Sequence, residues 1–148
     1  MLVRFEGGAV GSIESSRIAH GRKMGIGFEL TCERGAIVFD GERTNELAVY
    51  GAGADAAGQG FRTLRINGAH PDYAAFMPAP AHGLGFNDLK TIEIHAFLRA
   101  IAERRNLAPD LAEACRIARI CEAALASSVS GARIEGPETR PAETQVAA

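Results

Sequence analysis

From Met24 to Glu33 the chain alternates, with Met24, Ile26, Phe28, Leu30 and Cys32 set against Gly25, Gly27, Glu29, Thr31 and Glu33. A period of two places one set on one face of a β-strand, and the pattern predicts an apolar face lying on a core. Shorter runs of the same kind surround it. Leu2 to Glu6 and Ala9 to Ala19 read as strands joined by Gly7-Gly8, a two-residue hairpin turn that tolerates positive φ at both positions. Glu33-Arg34-Gly35 turns the chain into Ala36 to Asp40, and Gly41 to Asn45 turns it again. Glu46 to Tyr50 and Phe61 to Asn67 then make two more strands.

Beyond this the period becomes helical. Behind a cap at Asn87 or Asp88, Ile94, Phe97, Leu98 and Ile101 recur at three- and four-residue spacing. A second helix opens with Asp110 and Glu113 in a D-x-x-E arrangement, carries Leu111, Cys115, Ala118 and Leu125 on one stripe, and stops at Gly131. Ala132 to Glu135 is a candidate short last strand. Strands first and helices afterwards predict an α+β fold: a mainly antiparallel, open-faced sheet of about six strands with helices packed on one face. The domain is expected over residues 1–136, and the polar, Pro-containing segment 137–148 is expected to be disordered.

Composition narrows the partners. The 148 residues suit one domain, and the formal net charge of −2, with no Lys/Arg-rich run, gives no electrostatic basis for binding nucleic acid or an anionic membrane. No apolar run approaches the roughly 18 residues of a membrane span, and the N-terminus has neither a basic nor an apolar leader region, so a cytoplasmic location is expected. The three cysteines, Cys32, Cys115 and Cys121, form no C-x-x-C pair. Cys115 and Cys121 sit about 240° apart around a helix and cannot chelate one ion, so all three are expected to be buried as small hydrophobes.

The richest candidate chemistry lies between His70 and Asn87, a loop dense in Pro, His and aromatic residues. Pro71, Pro78 and Pro80 exclude helix and central strand, and a long ordered loop of this kind is where sites concentrate. His70, Asp72, Tyr73, His82 and Asn87 offer donors and acceptors beside apolar Phe76 and Phe86, a mixture that suits a polyol. His70, Asp72 and His82 match no established metal-ligand spacing, so no metal is expected. Arg17, His20, Arg22 and Lys23 cluster near a strand end and could grip an anion or hydroxyls. Gly51 to Ala56 satisfies G-x-G-x-x-A, but Gly58 and Gly60 interrupt it and Phe61 opens the next strand, leaving no room for the helix that a dinucleotide fingerprint needs. A flexible hairpin loop is the expectation there. No catalytic triad or carboxylate pair can be picked from spacing.

Four stretches in order, GSIESSRIAHGR, FELTCERGAIVFDGERTNELAVY, HP…PAPAHGLGFNDLKTIEIHAFLRAI and CEAALASSVSGARIEG, resemble the carboxy-terminal domain of the glucose-fructose oxidoreductase and inositol dehydrogenase family (Gfo/Idh/MocA). Together they cover most of residues 8–136. Cys32 departs from the family, which commonly has glycine in the turn there. The resemblance implies the substrate-side and oligomerisation half of an NAD(P)-dependent sugar or polyol oxidoreductase, associating through its open sheet face and approaching the substrate with the loop His70 to Asn87. It implies that Arg17 and Asn45 lie on strands or turns of the sheet. The family's NAD(P)-binding Rossmann half and its catalytic Lys, Asp and His lie upstream of the matched segment. No residue of this chain inherits those roles, no cofactor is expected on it alone, and a separate Rossmann-domain subunit is a possible partner. A stand-alone, non-catalytic carbohydrate-binding or assembly module is the alternative.

Overall fold

The computed structural model describes residues 1–23, 25–53, 56–79, 82–107 and 109–137. It contains two antiparallel sheets and two long helices, an α+β architecture. The chain divides into two units, one of Met1–Ser15 with the residues from Ala100 onward, the other of Ser16–Arg99.

In the first unit, β1 (Leu2–Arg4) pairs with β2 (Val10–Ser12), Val3 opposite Gly11. The turn is not the expected two-residue one. Gly8 N–H bonds Phe5 O at 2.9 Å, Phe5 N–H bonds Ala9 O at 2.8 Å, and only Gly8 has positive φ, at 87°. This is a three-residue loop of Glu6, Gly7 and Gly8, in which the type I turn needs glycine at its left-handed last position and nowhere else. Nor does β2 reach Ala19. The ladder closes with Ile13 N–H on Met1 O, where its partner strand ends.

The helix α2 (Leu111–Ser130) is bounded as its sequence predicts. Asp110 caps it, Oδ1 accepting the Glu113 N–H at 2.9 Å, and Gly131 ends it at φ 67° with its N–H on Ser127 O. Glu113 also pairs with Arg116 at 2.6 Å. The expected strand over Ala132 to Glu135 does not form, because Ala132 O accepts the Ser127 hydroxyl and Ala132 N–H turns to Ser130 Oγ. The tail beyond Pro137 lies outside the described residues.

In the second unit, β3 (Gly27–Cys32), β4 (Gly35–Asp40), β5 (Glu46–Gly51) and β6 (Arg62–Arg65) form an antiparallel meander. The six strands thus fall into sheets of two and four rather than one. Register sorts the faces: Phe28 stands opposite Phe39, Leu30 opposite Ile37, Ile37 opposite Val49, and Leu47 opposite Leu64. All seven side chains share one face, with the Phe28 and Phe39 rings 5.6 Å apart. Ala36, Val38, Ala48 and Tyr50 share the other. The apolar alternation of β3 was expected to face a core, yet Phe28 is 49% and Leu30 55% exposed.

The helices repeat that outcome. In α1 (Phe86–Glu103), Ile94, Phe97, Leu98 and Ile101 are exposed, while Ile92, Ala96 and Ala100 are half-buried. In α2 the stripe of Leu111, Cys115, Ala118 and Leu125 is likewise exposed. All three cysteines are exposed instead of buried, Cys32 at the end of the apolar sheet face and the other two on α2. The cause is common to all of these. Periodicity identifies an apolar face but not what covers it. No helix among the described residues is long and apolar enough to cross a membrane.

The helix α1 ends without glycine. Arg104 takes φ 51°, its N–H bonding Ile101 O at 3.2 Å and the Arg105 N–H bonding Ala100 O at 3.1 Å, the paired bonds of a Schellman motif.

Candidate functional site

Pro71 and Pro78 supply no N–H, so the loop after β6 is ordered by other groups. Asn67 starts it with an Asx turn, Oδ1 accepting the Ala69 N–H at 2.9 Å. His70 N–H bonds Asn67 O, and His70 Nδ1 lies 3.1 Å from both the N and the O of Asn67. His70 O then accepts the Tyr73 and Ala74 N–H groups, which leads into the 3₁₀ turn Ala74–Phe76 and the buried Met77.

The other end of the loop is held from the sheet. Asn45 follows the 3₁₀ turn Gly41–Arg43 and faces the backbone of Leu84, 39 residues away. Its Nδ2 donates to Leu84 O at 3.0 Å, and its Oδ1 accepts the Leu84 N–H at 2.7 Å. Its backbone O accepts the Ile66 N–H at 3.0 Å. One asparagine therefore bonds the residues on both sides of the loop. Leu84 is only 6% exposed, so its backbone polar groups need such partners. Gly83 packs close here, since a Cβ at that position would stand 3.2 Å from Asn45 Nδ2 and the amide would have to shift by a few tenths of an ångström. Gly85 N–H then donates to Asp88 Oδ2 at 2.8 Å, so α1 starts at Phe86 with Asp88 acting from its first turn, and the residue before the helix is Gly85, two or three positions ahead of the expected Asn87 or Asp88 cap.

The turn carrying Asn45 is braced by charge. Asp40 Oδ1 accepts the Glu42 N–H at 3.0 Å. Glu42 binds the Arg22 guanidinium at 2.9 Å and the Lys23 N–H at 2.8 Å. The hydrogen bond and charge of Glu42, with Asp40 nearby, hold the Arg22 pKa above its usual range. Glu46 pairs with Arg43 and, at 3.4 Å, with Arg65. Of the basic cluster expected to grip an anion, Arg22 is thus committed to Glu42, whereas Arg17 and His20 are exposed.

The expected site residues are distributed as follows. His70 and Tyr73 are brought together, ring centroids 6.3 Å apart. Asp72 is exposed, and Phe76 is half-buried. His82 is exposed, with Nδ1 2.9 Å from Ala79 O. A carbonyl only accepts, so the contact is a hydrogen bond in the tautomer with the proton on Nδ1, which presents Nε2 as an acceptor for a ligand hydroxyl. Asn87 is exposed, its backbone O accepting the Thr91 hydroxyl at 3.0 Å. Pro80 lies outside the described residues. Among the described residues no three His, Cys, Asp or Glu side chains stand where they could hold a metal ion.

The glycine segment after β5 does not fit a dinucleotide. The strands flanking it, β5 and β6, pair antiparallel with Leu47 opposite Leu64, so it closes a hairpin. A parallel crossover with a phosphate-facing helix has no place there. Ala54 and Asp55 lie outside the described residues. Asn45 is the residue whose role spacing does not reveal. The sequence places it in a turn, and only the fold brings Leu84 to it.

Residues 1–135 match a family described as the oxidoreductase family, C-terminal alpha/beta domain. Levoglucosan dehydrogenase of Pseudarthrobacter phenanthrenivorans is 40% identical over 137 residues, which are 93% of this chain and 35% of that protein. A solved levoglucosan dehydrogenase in complex with NADH and levoglucosan, 40% identical, superposes with a TM-score of 0.87, covering 93% of this chain and 38% of that one. An NAD binding oxidoreductase from Klebsiella pneumoniae, 36% identical, gives a TM-score of 0.85 with coverage of 93% and 37%. The chain spans about a third of the length of the relatives it matches.

Proposed function

The chain belongs to the oxidoreductase family defined by that C-terminal α/β domain, and from this premise we propose that it is the substrate-side and subunit-association part of an NAD(P)-dependent sugar or polyol oxidoreductase. The observation that carries the reading is the match itself: 93% of the chain aligns at 40% identity with one third of a sugar dehydrogenase. Two features of the chain support it. The loop His70 to Asn87 combines exposed polar groups with half-buried aromatic rings and is fixed at both ends, as a site for a hydroxylated ligand requires. The apolar sheet face of Phe28, Leu30, Ile37 and Leu64 is exposed, as suits an interface with a second copy. In this reading His70, Asp72, Tyr73, Phe76, His82, Asn87 and Arg17 contribute contacts to the sugar. NAD(P) is held elsewhere, by a Rossmann-type region of the working enzyme, and no step of hydride transfer is assigned to this chain's residues.

The test is a chimera in which this chain replaces the matching segment of levoglucosan dehydrogenase. Sugar-dependent reduction of NAD⁺ is expected. A chimera that folds and binds NADH yet oxidises no sugar or polyol would overturn the proposal in favour of a non-catalytic binding or assembly module.

A further inference from the structure

Among the side chains of the second unit, Asn45 is unusual in what it bonds. Most asparagines in turns satisfy groups two or three residues away. Asn45 instead reaches 39 residues along the chain and engages both backbone groups of one residue, Leu84, at 2.7 and 3.0 Å. A side-chain amide presents an N–H donor and a carbonyl acceptor side by side, as one residue of an antiparallel strand does to the residue opposite it, so it stands in for a neighbouring strand that Leu84 does not have. Three further observations make this a built device. Leu84 is buried, Gly83 leaves room for the amide, and the Asn45 backbone simultaneously holds Ile66 at the loop's start.

Resting on the reading of the loop as a sugar site, we infer that Asn45 is a positioning residue acting through His82. The clamp fixes Leu84, two residues from His82, while Ala79 O fixes the His82 ring through Nδ1. Together they restrain the chain next to His82 and favour the tautomer with its proton on Nδ1, so that Nε2 accepts a hydrogen bond from a hydroxyl of a neutral polyhydroxylated ligand. Asn45 touches no ligand itself. Asn45→Ala removes both bonds. Asn45→Asp keeps the acceptor for the Leu84 N–H but sets a carboxylate oxygen against the Leu84 carbonyl.

The experiment uses the ¹⁵N-labelled 148-residue chain with levoglucosan as the probe sugar. Amide exchange at Leu84 is expected to accelerate about 10- to 100-fold in Asn45→Ala, and less in Asn45→Asp. Unchanged exchange would overturn the clamp, whatever the function. Saturable shifts of the His82, Gly83 and Gly85 amides are expected with sugar, weakened about tenfold in affinity by Asn45→Ala and by His82→Ala alike. The double variant is expected to bind no worse than His82→Ala alone, because Asn45 acts through His82. Additive losses would overturn that coupling, and a wild-type chain without sugar-dependent shifts would overturn the ligand contact. The chimera assay judges the oxidoreductase reading separately.

Discussion

Replacing Phe28 by aspartate should separate folding of the sheet from association through it. Phe28 sits in β3, pairs with Phe39 across the strands and leaves 49% of itself in solvent. A phenylalanine carries roughly 200 Å² of surface, so about 100 Å² remains to be buried by a partner. At about 25 cal/mol per Å² that is about 2.5 kcal/mol per copy. In a two-fold contact each copy contributes once, giving about 5 kcal/mol, or a dissociation constant weakened by a factor of about 10³ to 10⁴. Within one chain the variant also gives up the half of the side chain already covered, the ring contact with Phe39 included, about 2.5 kcal/mol at the same rate. Light scattering after size exclusion at micromolar concentration should show an oligomer for the wild type and a monomer for Phe28→Asp, both with the same circular dichroism. A wild-type monomer, or a variant of unchanged mass, would refute the argument that the exposed apolar face is an interface.

Other outcomes follow from particular residues. Arg104→Gly should stabilise the chain by about 0.5–1 kcal/mol, seen as a higher melting temperature, because a left-handed C′ position disfavours any residue with a Cβ. Asp110→Ala should cost about 1 kcal/mol through loss of the cap on the Glu113 N–H, read by denaturant titration. Calorimetric titration of the chain with NADH should show no dissociation constant below about 10 μM, since its one glycine fingerprint closes an antiparallel hairpin.

How far the sequence foretold this structure depends on whether the deciding contacts are local. The caps of α2, Asp110 and Gly131, act within a few residues and could be read from side-chain chemistry alone. So could the α+β order and the antiparallel return from β5 to β6, since Gly58, Gly60 and Phe61 leave no room for the long helix of a parallel crossover. The Gly7-Gly8 turn was located but mistyped, because two adjacent glycines do not say which one takes positive φ. The alternation of β3 and the stripes of α1 and α2 correctly mark apolar faces, but Phe28, Phe97 and Leu125 are exposed, as are the three cysteines. Asn45 was out of reach for a different reason. Its partner is 39 residues away, and nothing in a turn sequence distinguishes an asparagine that caps its neighbours from one that pairs with Leu84.

The central claim is that this chain supplies the sugar side of an oxidoreductase, and substrate selectivity tests it most directly. The ratio of kcat/KM for levoglucosan to that for a panel of other sugars and cyclitols should be measured in levoglucosan dehydrogenase and in the chimera carrying this chain. If the loop from His70 to Asn87 meets the substrate, the ratio should change by about tenfold or more while the KM for NAD⁺ stays put. Selectivity identical to that of the parent enzyme, with only the KM for NAD⁺ altered, would contradict the account.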